Sequence, residues 1–212
     1  MMVVAAARGQ GGVRVVGRKG AESRAHILAC AVELSRRVGL GALSFGGVAS
    51  AAGMSKSAVV RYFGEHSHLQ AATVDALACE FRREVLAPAD ELVGADRLRR
   101  LYGGFLAWMG RGCPLAAATL ADGGLSEPLR ARAVKGLAAW RRILREAIED
   151  AAGLGQVDAS VEAEQASFEL TGAALVYCQA IATLGDEAAK ARAWRAFERM
   201  LRAPDRPPQG QN

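Results

Sequence analysis

The sequence predicts an all-α protein of about nine helices, and three observations carry that prediction. Apolar residues recur every three to four positions through most of the chain, the period of a helix with one buried face. Ser or Pro opens several of these stretches and Gly closes them, the order in which helices start and stop. Finally, the chain is rich in Ala, Leu, Arg and Glu while aromatics make up only 6%, a balance that favours helix over sheet.

Residues 1–20 are rich in Gly, Val and Arg without any period and read as a flexible basic arm. Over 22–38, Ile27, Leu28, Ala31, Leu34 and Val38 follow helical spacing, and Gly39 and Gly41 stop the helix. Ser44 is placed to cap a short helix over 45–52 through its side-chain oxygen. Gly53 ends that helix because only glycine enters the left-handed conformation without a Cβ penalty. Ser55 caps the next helix, 56–63, and Gly64 ends it. Gly46 and Gly47 inside the first of these short helices each cost about 1 kcal/mol relative to Ala.

A helix is expected over 66–86, closed by Pro88, and another over 95–110 with Leu98, Leu101, Phe105 and Trp108 on one face. Pro114 starts a short helix that ends at Asp122-Gly123-Gly124. Ser126 and Pro128 then open a long one to residue 152, as cap and first-turn proline. Its apolar side carries Leu129, Ala133, Leu137, Trp140, Leu144 and Ile148; Arg141, Arg142, Arg145 and Glu149 lie opposite. Residues 158–184 form the most apolar helix and 187–202 the last. The Pro- and Gln-rich tail over 204–212 is expected to be disordered.

With 212 residues, 51% of them hydrophobic, the chain can bury a real core. Its net charge of +5 is unevenly spread: residues 1–66 hold nine basic and three acidic side chains, leaving +6, and the other 18 basic and 19 acidic residues leave −1. A basic head on a near-neutral body suits a polyanion, DNA better than an anionic membrane. Cys30, Cys79, Cys113 and Cys178 show no metal-finger spacing and sit in Ala/Leu-rich stretches, as small apolar residues do. The opening residues lack the basic n-region of a signal peptide, and no run of 18 apolar residues suggests a membrane span. A cytoplasmic protein with no membrane partner is expected.

The functional signal lies in two short helices joined by a tight turn at the end of a three-helix unit. Such a pair lets the first helix brace across the DNA backbone while the second enters the major groove. Val48, Ala49, Met54, Val59 and Tyr62 occupy internal positions, and Ala49 is small where the helices cross. Lys56, Ser57, Ala58 and Arg61 are left outward. Taken alone they would read as an ordinary solvated face; within this frame they read as contacts to base edges and phosphates.

Residues 24–69, RAHILACAVELSRRVGLGALSFGGVASAAGMSKSAVVRYFGEHSHL, resemble the TetR (tetracycline-repressor) family of transcriptional regulators. The shared pattern is Arg-x-x-Ile-Leu, a Gly-containing loop, a Ser-capped helix, Ala-Gly-Met-Ser, then Tyr-Phe and a Leu in the next helix. The resemblance implies a DNA-binding unit over 21–66 and a helical ligand-binding and dimerisation domain over 67–203. It implies DNA contacts from Ser44, Ser55, Lys56, Ser57, Ala58, Arg61, Tyr62 and His66. The family usually has Tyr where this chain has Val60 and Lys where it has His66, both phosphate contacts. Their loss should weaken binding and lower its salt dependence, although His66 can still donate to a phosphate.

The resemblance also implies a pocket between the middle helices, and Phe105, Trp108, Met109, Cys113, Trp140, Phe168 and Tyr177 are its candidate lining. Aromatics at helical spacing also simply fill cores. A wall poor in charge favours a small hydrophobic effector over a sugar or nucleotide. Cys113, between Gly112 and Pro114, resembles cysteines that some regulators of the family use to sense electrophiles, and Arg111 nearby would lower its pKa; the plainer reading is a packed thiol. His26 and Cys30 share a helix face, but nothing nearby supplies the further ligands zinc needs, and His66 and His68 diverge. No metal or other cofactor is expected.

Leu170, Ala174, Tyr177, Ile181 and Leu184 form one apolar row on the helix over 158–184, and Phe168, Gly172, Leu175 and Ala182 form another. A helix apolar on two sides must bury both. One row suits its own domain and the other a partner, which the resemblance identifies as a homodimer through helices near 158–184 and 187–202. The expected function is a repressor released from a palindromic double-stranded operator by its effector. An enzyme is disfavoured because no phosphate loop, nucleophile elbow, HExxH or paired carboxylates occur. A helical adaptor for proteins or membranes is the remaining rival.

Overall fold

The computed structural model of the protein describes residues 18–120, 125–158 and 160–201. Among these residues run nine α-helices and no strand. The Asp122-Gly123-Gly124 stop, the tail and most of the basic arm lie outside the described residues. The last three residues of the expected arm do not: they form the first turn of α1 (Arg18–Val38). An Arg18–Glu22 pair at 3.2 Å, one turn apart, supports that turn.

Helices α2 (Phe45–Ala52) and α3 (Lys56–Phe63) are shaped by local chemistry. Ser44 accepts from the Gly47 N–H and Ser55 from the Ala58 N–H, so each start has one otherwise unpaired donor satisfied. Gly53, at φ 63°, closes α2 and makes the turn into α3. The two glycines of α2 are not equivalent. Space around a Cβ on Gly46 is open, whereas one on Gly47 would lie 3.2 Å from both Leu34 Cδ2 and Ser44 Oγ. Ile27, Ala31, Val48, Ala49, Val59 and Phe63 close this three-helix unit into a core.

Helix α4 (His66–Phe81) continues through a π-helical stretch, Arg82–Leu86, and a 3-10 turn, Ala87–Ala89. The expected single helix over 66–86 therefore changes its winding at Arg82. Helices α5 (Gly94–Met109), α6 (Pro114–Leu120) and α7 (Glu127–Gly153) follow. Ser126 stands at the cap position of α7 without a side-chain bond, and Pro128 lies in the first turn.

The apolar helix starts later than expected. α8 (Ala163–Gln179) is capped by Glu162, which accepts from the Glu164 and Gln165 N–H groups. Asp158 is instead in the preceding turn, its carboxylate held by the Ser160 N–H at 2.7 Å. A second π-helical stretch, Ala180–Leu184, extends α8, and α9 (Ala189–Leu201) ends the described chain.

Tyr102 of α5 ties the carboxyl-terminal helices together. Its ring stacks on Phe197 at 5.0 Å and on Trp194 at 6.1 Å. Its hydroxyl, fully buried, lies within donating distance of the Leu170 carbonyl (3.2 Å) and the Ala193 carbonyl (3.3 Å). Desolvation pushes the phenol well above the ordinary tyrosine range. Ala163–Leu184, 22 residues long with a mean hydropathy of 1.2 over its most apolar 18, is by length and composition apolar enough to cross a membrane. Here one side of it packs against α5, α7 and α9.

Candidate nucleic-acid interface and effector cavity

On α3 the residues Lys56, Ser57, Val60 and Arg61 are exposed and line up along one face. Val59 and Phe63 point into the head and are buried. Ala58 and Tyr62 are half-buried, with Tyr62 packed on the core and the Arg61 guanidinium 5.6 Å from its ring centroid. The Ser44 and Ser55 hydroxyls are exposed but occupied as helix caps, and Ser55 Oγ is also 3.1 Å from Ser57 Oγ. A hydroxyl that accepts from a backbone N–H can still donate its own proton outward.

His66 also has a partner inside the protein. Its Nε2 is hydrogen-bonded to the Leu43 carbonyl, and Phe45 meets the ring edge-on at 6.2 Å. One of its two nitrogens is therefore spent on tying α4 to the loop before α2. His26 Nε2 lies 3.1 Å from the Ala52 carbonyl and 4.0 Å from Cys30 Sγ. Among the described residues no cluster of three or more His, Cys, Asp or Glu side chains has the arrangement of a metal site.

A cavity of about 220 Å³ lies between α4, α5, α6, α7 and α8. Phe81, Phe105, Trp108 and Trp140 form its aromatic wall, with Phe105 and Trp140 rings 4.2 Å apart and Phe81 edge-on to Trp108 at 5.3 Å. Met109, Cys113, Leu137 and Leu175 are also part of it, and among the described residues no charged side chain lines it. Trp140 Nε1 is buried without a hydrogen-bond partner.

Two expected lining residues lie elsewhere. Phe168 is 59% exposed on the outer side of α8, 5.6 Å from the Arg141 guanidinium carbon. Tyr177 is buried, but its hydroxyl packs against Gly110 rather than into the cavity. Helical spacing alone does not say which side of α8 meets the cavity, and here Leu175 is the α8 residue that lines it. Phe81, absent from the expected lining, comes from α4.

The Cys113 thiol is pushed up by burial, and hydrogen bonds from the Ala116 N–H and the Trp108 side chain do not offset it. Burial thus favours the plainer of the two sequence readings, a packed thiol, and Arg111 is not among the groups that act on it. The Arg111 guanidinium is held by Glu84 and lies 3.5 Å from Glu80 and 5.3 Å from the Trp108 ring centroid. Burial works to raise the Glu84 carboxyl, but Arg83 and Arg111 together outweigh it and keep it below its ordinary value.

A residue that sequence reasoning passed over joins the head to this cavity. The Arg36 side chain, 2% exposed, runs from α1 to the wall of the cavity. Its guanidinium donates to the Gly112 carbonyl at 2.9 Å and to Glu80 at 3.0 Å, and its carbon lies 4.4 Å from the Trp108 ring centroid. Glu33 is 3.4 Å from Nε, in ion-pair range but without a hydrogen bond. A desolvated cation–π contact of this kind is worth about 2 kcal/mol. Removing one partner of a buried ion pair costs about 3–5 kcal/mol.

A helix-turn-helix unit with a basic outer face, set on a helical domain that encloses an apolar cavity, defines a DNA-binding transcriptional regulator with a separate sensing domain. The signature described as bacterial regulatory proteins, tetR family, matches residues 27–78, and that of the tetracyclin repressor-like C-terminal domain matches residues 94–197. The chain belongs to the TetR family, whose members are transcription factors and not enzymes.

Solved structures repeat the fold at low identity. A TetR-family regulator from Agrobacterium tumefaciens superposes with a TM-score of 0.73 at 17% identity, covering 86% of this chain and 99% of that one. The reduced form of NemR from E. coli gives 0.67 at 19% identity, covering 86% and 100%. The fatty acid degradation regulator FadR from Bacillus halodurans gives 0.64 at 15% identity, covering 87% and 97%. No curated protein matches the chain.

Proposed function

We propose that the chain is a homodimeric, cytoplasmic repressor that holds a palindromic operator and is released from it by a small hydrophobic effector. The head over 21–66 presents Lys56, Ser57 and Arg61 to base edges and phosphates, with Ser44, Ser55, Ala58 and Tyr62 around them. The domain over 67–203 receives the effector and forms the dimer through α8 and α9. The observation that carries this reading is the position of α4. Its first residue, His66, is bonded into the head, and its last, Phe81, is part of the cavity wall.

A dimer fits a palindrome only when its two recognition helices stand about 34–36 Å apart, one turn of DNA. A ligand that shifts α4 shifts the head and loses that spacing. The unpaired Trp140 N–H favours a neutral ligand with one hydrogen-bond acceptor, since a charge enclosed by this wall would have no partner. Phe168 and Val176, both exposed, with the half-buried Gly172 between them, leave an apolar row on α8 that supports the dimer.

The test is selection of bound sequences from random duplex DNA, followed by titration of hydrophobic compounds with and without the recovered site. A palindrome is expected, together with compounds that bind more weakly to the DNA-bound protein. Linkage requires the two effects to be equal in size. Selection that enriches no sequence would remove the operator reading.

A further inference from the structure

We infer that Arg36 is the positioning residue that transmits occupancy of the cavity to the DNA-binding head, by acting on α1 rather than through the His66 end of α4. The inference rests on the effector reading above and assigns its coupling to a particular side chain. Arg36 belongs to α1, the first helix of the head, yet every group its guanidinium touches outside α1 belongs to the sensing domain or its edge. Glu80 sits one residue before the cavity-lining Phe81, Gly112 one residue before the cavity-lining Cys113, and Trp108 is itself cavity wall.

The geometry leaves this side chain no independent response. A guanidinium stays protonated under all ordinary conditions, and at 2% exposure it has no water to replace a lost partner. When a ligand pressed against Trp108 displaces the indole, the cation keeps its counterion and carbonyl by moving with them. The backbone is drawn along as well, because Gly112 leaves no room for even a methyl group between itself and the Arg36 carbonyl. A Cβ placed on Gly112 would lie 2.8 Å from that oxygen. Glu80 cannot simply release the cation either, since Arg111 is its other basic neighbour, at 3.5 Å, and is itself held by Glu84.

The experiment compares wild type with Arg36→Met, which keeps much of the apolar stem and removes the charge. Naphthalene, an uncharged bicyclic compound, serves as the cavity probe, since apolar cavities of about 150 Å³ already take benzene. Tryptophan fluorescence reports its binding, and retardation of the selected duplex reports DNA affinity. In wild type, saturating naphthalene is expected to weaken DNA binding by about fivefold or more, the lower end of ordinary coupling. In Arg36→Met both ligands are expected to bind, with the coupling reduced to less than about twofold.

Equal coupling in the two proteins would overturn the role of Arg36 and leave the effector reading intact. Naphthalene that fails to bind wild type, or binds it without affecting DNA affinity, would take down the effector reading and this inference with it. Should Arg36→Met not fold, Arg36→Lys retains the charge for Glu80 but loses the planar fork that reaches two acceptors at once. Its coupling is then expected to fall below wild type, and wild-type coupling in that variant would overturn the inference.

Discussion

Arg36 and Gly112 meet at two points: the guanidinium donates to the Gly112 carbonyl at 2.9 Å, and the Arg36 carbonyl lies 2.8 Å from where a Cβ on Gly112 would be. Gly112 has φ +88°, a conformation that L side chains rarely adopt. Gly112→Ala therefore adds backbone strain to a steric clash with backbone. The expected cost is about 1–3 kcal/mol, read as a fall of several degrees in Tm for a domain of this size. An unchanged Tm would mean that the loop moves freely against α1.

Arg61→Ala tests the recognition helix. A bidentate contact from Arg61 to a base would be worth about 1–3 kcal/mol, and its loss would relax preference at one base pair of each half-site. Repeating the selection with the variant reads that preference directly. An equal loss on every sequence, with a smaller salt slope, would assign Arg61 to a phosphate instead.

Val176→Arg tests the dimer. Val176 is 63% exposed and stands one turn beyond Gly172 and two beyond Phe168 on the same side of α8. Burying an unpaired guanidinium there should raise the dimer dissociation constant on the order of 100-fold. Sedimentation velocity reads the change, and operator affinity is expected to fall with it. A variant that sediments like wild type would move the interface off this face.

The buried phenol of Tyr102 contributes to a loss of stability at alkaline pH. Its folded pKa is raised by burial, so from about pH 10 upward the unfolded chain releases a proton that the folded chain retains. Fewer protons bound in the unfolded state make stability fall as pH rises, by about 1.4 kcal/mol per unit above that point. Tyr102→Phe lacks this slope but loses about 1 kcal/mol of hydrogen bonding at neutral pH. The Tm gap between the two proteins should therefore narrow between about pH 8 and 11. A constant gap would show that the hydroxyl reaches water.

What the sequence made legible was local chemistry. Ser44, Gly53, Ser55 and Gly64 could be assigned because a cap or a left-handed turn depends on a residue and its immediate neighbours. Trp108 and Trp140 could be placed in a wall because each helix has one broad apolar side. What stayed hidden depends on partners far along the chain. Arg36 counts as one more cation in a basic head until folding brings it to Glu80, Trp108 and Gly112. Its exposed neighbour Arg37 carries the same signal in sequence. Phe168 looks like core by residue type, but the rotation of α8 turns it outward. The start of α8 is set by Glu162, whose carboxylate accepts from the Glu164 and Gln165 N–H groups, a local bond that apolar spacing does not mark.

Gly136 lines the cavity and is at the same time exposed on α7, with open space where a side chain would begin. The cavity therefore reaches the surface at Gly136, where no side chain stands across the opening. A side chain placed there would slow the passage of a guest without touching the aromatic wall that holds it. Speed of exchange and strength of hold would then depend on different residues, Gly136 for the first and the aromatic side chains behind it for the second.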